Sequence, residues 1–272
     1  MTKKKEMKKR RFPKSYTGKT LVIYLILRAL VIFTLVMAAI RGNYENVLLC
    51  VLTLILFYVP DILQRGLDIH LPDTLEIIIL VFIFAAEILG EIQAFYIRIP
   101  IWDTMLHTTT GFLAAAVGFS LVDLLNRHER FSFEMSPIYM AIVAFCFSMT
   151  IGVLWEFFEF SADLFLRTDM QKDAVLSSIS SVTLNPEPVN VPIRIDNITS
   201  TVVNGEALNI QGYLDIGLYD TMKDLFVNFI GAVVFSIFGF FYVKHRGKKT
   251  AFVENIIPQP EEREEESETP ES

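Results

Sequence analysis

Cysteine is nearly absent from this 272-residue chain: Cys50 and Cys146 each lie inside an apolar run, and neither belongs to a C-x-x-C pair. No disulfide framework and no thiolate metal site is therefore indicated, and both residues read as packing. There is no G-x-S-x-G elbow, no Walker loop and no dinucleotide glycine fingerprint, so nucleophilic and nucleotide-driven mechanisms lack their visible parts. No solenoid-type repeat is present. Lys and Arg are not interleaved with aromatics in the manner of a nucleic-acid surface, and no nucleic-acid partner is expected.

What the chain does have is apolar surface. Hydrophobic residues make up 52%, Phe occurs 23 times and mean hydropathy is +0.43, above the roughly 45–50% apolar content of soluble domains. The net charge of −7 conceals a segregation: nine Lys/Arg against one Glu in residues 1–19, and seven Glu after Pro260. A basic stretch beside a membrane helix acts as a topology signal and a contact for anionic lipid. The glutamate-rich tail reads as disordered.

Six apolar segments stand out, at about Thr20–Ile40, Val47–Leu63, Thr74–Ile92, Thr104–Leu125, Pro137–Phe160 and Thr221–Val243, most near the ~20 residues that a spanning helix requires. The expectation is an all-α, six-helix polytopic bundle in contact with the lipid bilayer. Its parts are a basic cytoplasmic stretch 1–19, helices one to five over 20–164, an outer connection 165–219, helix six over 220–243 and a cytoplasmic tail 244–272. The first segment is interrupted by Arg28 and lacks a convincing A-x-A site after it, so it reads as a retained helix rather than a signal peptide. Arg28 itself requires a partner, and Asp61 is a candidate. Pro60 and Asp61 predict a kink or early exit in the second segment. Arg65, Arg127, Arg130 and the basic cluster after Val243 share one side with the N-terminus, which places both termini in the cytoplasm of a cell-membrane protein. In the outer connection, "ITSTVVNGEALNI" flanks Asn204-Gly205 with β-prone runs and predicts a small hairpin.

The polar residues inside these segments are not scattered. On the six-helix frame, Glu87 and Glu91, Asp103 and His107, Glu156 and Glu159, and Asp220, Asp224 and Asn228 all fall at the outer ends of four different helices. Their spacings are i,i+4 or i,i+3, so each helix offers one face, with i,i+4 partners about 6 Å apart along the axis. A carboxylate in the membrane costs roughly 2.5–3.5 kcal/mol on insertion scales, so such groups converge on one another or on a polar cavity. Neighbouring carboxylates repel unless protonated or bridged by a cation. Asp103, His107, Glu156, Glu159, Asp220 and Asp224 are accordingly the expected ligands of a divalent ion, Mg, Mn or Zn. Glu87, Glu91 and Asn228 are placed around them, and His107 and Glu156 are candidate proton acceptors. The Glu-x-x-His pairs of di-iron bundles are absent.

Blander readings stand beside this one. Helix-end acids can sit among headgroups, Arg98 can pair with Glu91 or Asp103, and Asp220 can be a helix N-cap with Thr221 and Asp224 completing a capping-box-like start. Trp102 and Trp155 read as interfacial anchors. Small residues in "GFLAAAVG" (Gly111–Gly118) and "GAVVFSIFG" (Gly231–Gly239) mark close helix packing.

Over about Leu75–Tyr242, "WDTMLHTTTGF", "LWEFFEFSAD" and "DIGLYDTMKDLFVNFIGA" together resemble the uncharacterised YjdF-type bacterial membrane proteins. More distantly, "HTTTGF", the Glu-x-x-Glu step and "DLFVNFIGA" are similar to VanZ-like proteins, a group associated with glycopeptide-antibiotic tolerance and the envelope. Glu159 stands where the VanZ pattern has Gln, and the hairpin insert replaces its short Arg-containing connection. The resemblance implies fold and membrane location. The leading expectation for function is a cation site handling a lipid-linked or envelope phosphate headgroup. The alternatives are a cation- or proton-coupled transporter, for which only Arg28, Asp61 and Asp123 continue the polar path, and a non-catalytic scaffold.

Overall fold

The computed structural model describes residues 18–67, 69–127, 135–245 and 259–260; most of the basic N-terminal stretch and the acidic tail after 260 lie outside them. The chain divides into two compact units, one of residues 1–95 with 254–272 and one of residues 96–253.

In the first unit, α1 (Gly18–Ile40) turns at Gly42 into α2 (Tyr44–Leu56), whose N-cap Asn43 accepts a hydrogen bond from the amide of Asn46. α3 (Val59–Leu67) follows after a break at Phe57 and Tyr58. Pro60 falls in the first turn of α3, where its missing N–H is harmless. A two-residue strand, β1 (Ile69–His70), pairs antiparallel with Gln259–Pro260. α4 (Asp73–Phe84) then continues as a π-helix over Ala85–Ile92. Tyr24, Leu27 and Val31 of α1 pack with Cys50 and Phe57 and with Leu80, Ile83 and Ile88 to form the core of this unit. The Arg28 guanidinium lies over the rings of Tyr24 and Tyr58, 4.3 and 4.7 Å from their centroids, a cation–π arrangement that serves a charge removed from water.

A single turn, α5 (Phe95–Arg98), precedes the three long helices of the second unit: α6 (Trp102–Arg127), α7 (Pro137–Leu166) and α8 (Leu218–Lys244). Each packs on the other two. Ser136 caps α7 and Pro137 occupies its first turn, the position where proline fits best. Phe119 and Phe235 are fully buried between α6 and α8 and meet edge to face. The connection from α7 to α8 carries six short strands: β2 (Val175–Leu176), β3 (Ile179–Ser181), β4 (Ile193–Ile195), β5 (Val202–Val203), β6 (Glu206–Ala207) and β7 (Tyr213–Leu214). They pair antiparallel as β2 with β7, β3 with β4, and β5 with β6. Asn204 and Gly205 join β5 to β6 with φ of 53° and 86°, the doubly positive turn that matches strand twist.

Among the described residues, five helices are long and apolar enough to cross a membrane: Gly18–Ile40, Tyr44–Gly66, Trp102–Asp123, Pro137–Leu166 and Leu218–Lys244. The count is thus five where six segments were expected. Thr74–Ile92 lies in one continuous helix whose turns change from α to π at Ala85, so its 12-residue α-helical part falls short of the ~20 residues that a span requires. The burial pattern of the long helices is inverted relative to a soluble protein: Phe33, Phe157 and Phe226 are 65%, 63% and 63% exposed, whereas Glu156 and Asp224 are 5% and 1% exposed. Apolar side chains face outward and carboxylates inward, as lipid as solvent requires.

Candidate metal centre

The site forms at the end of the three-helix unit where α6 and α8 begin and α7 ends. Local structure fixes each entry. α7 stops at Arg167, which adopts φ 59°, and Asp163 on its last turn gathers the chain beyond, accepting hydrogen bonds from the Thr168 hydroxyl and the amides of Met170 and Gln171 at 2.7–2.8 Å. α8 begins after Gly217, whose φ of 82° favours glycine. The carboxylate that caps this helix start belongs to Asp215, which accepts from the amide of Tyr219 at 3.1 Å. Asp220 lies inside the first turn rather than at the cap, because the helix starts three residues earlier than its capping-box-like sequence predicts. It accepts instead from the amide of Lys172 at 2.9 Å and ties the connection to α8.

The distance between α6 and α8 is set by backbone contact. A Cβ on Gly111 would overlap the carbonyl of Asn228, and one on Gly231 would overlap the carbonyl of Thr108. On α7, a Cβ at Gly152 would strike the Asn228 amide. Ser148 donates to the carbonyl of Gly111 at 2.7 Å, and the buried Asn228 amide reaches the Ser148 carbonyl at 3.5 Å. Asn228 therefore braces three helices, in keeping with the use of small and amide side chains where helices meet in lipid. One turn away on the same two faces stand His107 and Asp224.

His107 Nε2 is 3.3 Å from Asp103 Oδ1 and 3.6 Å from Asp224 Oδ2. One ligand atom from each of the three residues lies within 4.8 Å of the other two. Two ligands each about 2.2 Å from one ion are roughly 3.1–3.6 Å apart at octahedral or tetrahedral angles. The two distances from the imidazole are therefore those of neighbouring ligands on one ion, and the two carboxylates lie within 4.8 Å of each other. The other oxygens of the same aspartates face a cation: Lys223 Nζ is 2.9 Å from Asp103 Oδ2, 3.6 Å from Asp224 Oδ1 and 3.3 Å from Asp220 Oδ1, and its side chain is 44% exposed. Glu156 acts electrostatically on His107 and has Thr221 and Gln171 beside it, yet its Oε2 is buried without a hydrogen-bond partner. Gln171, from the connection, binds the Thr221 hydroxyl at 2.5 Å and covers this side. Four carboxylates, those of Asp103, Asp220, Asp224 and Glu156, thus share one ammonium and one titratable imidazole. That excess of negative charge is what a divalent ion would neutralise.

The remaining expected residues fall as follows. Glu159 accepts a hydrogen bond from the Trp155 indole at 2.7 Å, so Trp155, read as an anchor from sequence, also serves a buried acid one turn on. Asp220 is linked to the three-residue set through Lys223. Asn228 is a structural brace. Glu87 and Glu91 stand on the π-helix of the first unit, half-buried and exposed respectively. Two members were not foreseen. Lys223 had a signal, since it is a lone cation between Asp220 and Asp224 in "DTMKD"; Gln171 had none, because a polar residue in a long connection carries no periodicity.

Residues of this chain are 25% identical over 107 positions to an uncharacterized protein of Thermotoga maritima, a stretch covering 39% of this chain and 53% of the relative. The match thus spans about half of the relative's length. No solved structure matches the chain. A family described as predicted membrane protein (DUF2238) matches residues 22–245, which include all three helices that build the site. The chain belongs to that family of predicted membrane proteins.

Proposed function

We propose that this protein binds a divalent cation at Asp103, His107 and Asp224, on the outer side of the cell membrane, and uses it to hold or act on a phosphate headgroup that is lipid-linked or part of the envelope. The observation that carries the reading is the convergence of those three side chains, from two helices, to mutual distances of at most 4.8 Å beside a buried, unpartnered Glu156 oxygen. An oxygen-rich set suits Mg²⁺ or Mn²⁺, and the imidazole also admits Zn²⁺. The ion neutralises carboxylate and phosphate oxygens together and can polarise a phosphoester. Glu156, near His107 and free of a hydrogen bond at Oε2, is then the candidate proton acceptor. Glu159 and Asp220 contribute charge rather than direct ligation in this reading. Both termini are cytoplasmic.

Metal analysis of the purified protein tests the binding: wild type is expected to hold about one ion per chain, and Asp224→Ala to lose it while Glu159→Ala keeps it. Wild type devoid of ions after incubation with Mg²⁺, Mn²⁺ and Zn²⁺ would refute the reading. Lipid profiling of a deletion strain against one restored with Asp224→Ala then tests whether the site is needed for a phosphate-bearing envelope lipid.

A further inference from the structure

Lys223 stands in an arrangement that a simple counter-ion does not require. The two aspartates shared by His107 and Lys223 divide their oxygens between them: Asp103 directs Oδ1 at the imidazole and Oδ2 at the ammonium, and Asp224 directs Oδ2 at the imidazole and Oδ1 at the ammonium. An ion bound on the imidazole side would therefore leave Lys223 in place across the same pair of carboxylates. The ammonium is also 44% exposed, whereas the side chains of Asp103, Asp220 and Asp224 are 21%, 13% and 2% exposed, so Lys223 is the most accessible of these four charged groups.

We propose that Lys223 is the anion-selecting residue of this site, taking one terminal oxygen of a phosphate group whose neighbouring oxygen lies on the bound cation. The inference rests on the cation reading above. A lysine holds phosphate as a compact point charge, through short charge-assisted hydrogen bonds. Without the ion, four carboxylates repel any phosphate, and the ammonium is hydrogen-bonded to Asp103 and Asp220 and ion-paired with Asp224. With the ion bound, the aspartates are neutralised from behind and the exposed ammonium protons become available. Binding is therefore ordered, cation first. The preferred ligand is a phosphomonoester headgroup or free phosphate, whose third terminal oxygen and additional negative charge distinguish it from a phosphodiester. A zwitterionic phosphodiester brings its own cation to the ammonium and is disfavoured.

Calorimetric titration of the full chain in detergent tests this, with Mn²⁺ first and inorganic phosphate second, on wild type, Lys223→Gln and Lys223→Arg. A parallel arm uses phosphatidylcholine nanodiscs with and without phosphatidic acid. In wild type, phosphate is expected to bind more tightly with Mn²⁺ present than without it, and Mn²⁺ more tightly with phosphate present, by one common factor on the order of 5–150-fold. Lys223→Gln should keep Mn²⁺ binding, tightened by the loss of a nearby positive charge, and weaken phosphate at least about tenfold, the effect of roughly 1.4 kcal/mol; Lys223→Arg should recover part of it. Tighter binding in the phosphatidic acid arm than to free phosphate assigns the ligand to lipid, and the reverse assigns it to a soluble phosphate; either supports the proposal. Phosphate binding unchanged in Lys223→Gln, with Mn²⁺ still bound, overturns the role of Lys223 and leaves the cation site standing. Loss of Mn²⁺ by a folded Lys223→Gln overturns it too, because Lys223 then only positions carboxylates. Failure of wild type to bind Mn²⁺ removes the cation reading first and this one with it.

Discussion

Replacing Asp224 by Asn separates two effects that other substitutions in the site would mix. The side chain is 2% exposed; the substitution keeps its shape and removes its charge. In the ion-free protein, two electrostatic contributions change with opposite sign. Repulsion from Asp103, at up to 4.8 Å, is worth about 3.5 kcal/mol at an effective dielectric of ~20, and attraction to Lys223, at 3.6 Å, about 4.6 kcal/mol. The difference, about 1 kcal/mol, shrinks further because the ammonium is half exposed and screened. Asp224→Asn also removes the desolvation cost of a buried carboxylate and its repulsion from the other acids, so it should cost the ion-free protein no more than about 1 kcal/mol. The ion-bound protein behaves differently. A ligand present at 100 times its Kd stabilises the native state by about 2.7 kcal/mol, which for a chain of this size corresponds to a rise in Tm of about 5–11 °C. Scanning fluorimetry in detergent, with Mn²⁺ titrated into both proteins, reads the outcome. Wild type is expected to show the rise, and Asp224→Asn a similar starting Tm with no rise. An equal Mn²⁺-dependent shift in the two proteins would place the ion elsewhere and refute the assignment.

Gly111→Val and Gly231→Val should each destabilise the three-helix unit by more than about 2 kcal/mol, since the added side chains meet backbone carbonyls that cannot rotate away; unfolding in detergent measures the loss, and ion binding should fall with it. Gly205→Val, at φ 86°, should cost about 1–2 kcal/mol locally and disturb the β5–β6 turn without altering Mn²⁺ affinity, seen as faster hydrogen exchange confined to 202–207. Asp163→Ala removes three hydrogen bonds that hold Thr168 to Gln171, and limited proteolysis in that segment should accelerate while the helices stay protected. Single cysteines placed at 187 and at 248, in a chain freed of Cys50 and Cys146, should label from opposite sides of the membrane; labelling from one side would overturn the proposed topology.

Much of this arrangement was legible in one dimension because helices in lipid make polar residues conspicuous. Asp103 with His107, and Asp220 with Asp224 and Asn228, announce two faces by a four-residue period, and those faces do meet. What periodicity cannot supply is the partner of each group within a face. Glu159 looks equivalent to Glu156 by spacing, yet Trp155 engages one and not the other. Lys223 follows Asp220 by three residues, a spacing that brings the pair together on a helix, but its reach to Asp103 on α6 has no signature within "DTMKD". The π-helix over Ala85–Ile92 leaves no compositional trace, so the sequence shows Thr74–Ile92 as one apolar run with no sign of the change in helix type at Ala85. Gln171 reaches Thr221 across 50 residues of chain, a pairing that depends on where α7 ends and not on any local pattern.

The seam of Gly111, Asn228 and Gly231 has a consequence for selectivity. Because α6 and α8 touch there through main-chain atoms, the gap across which His107 and Asp224 face each other is ruled by peptide groups, which neither stretch nor change rotamer as side chains do. A cation site gauged in this way could not relax around an oversized guest, so among divalent ions, which share one charge, the smaller should be kept over the larger.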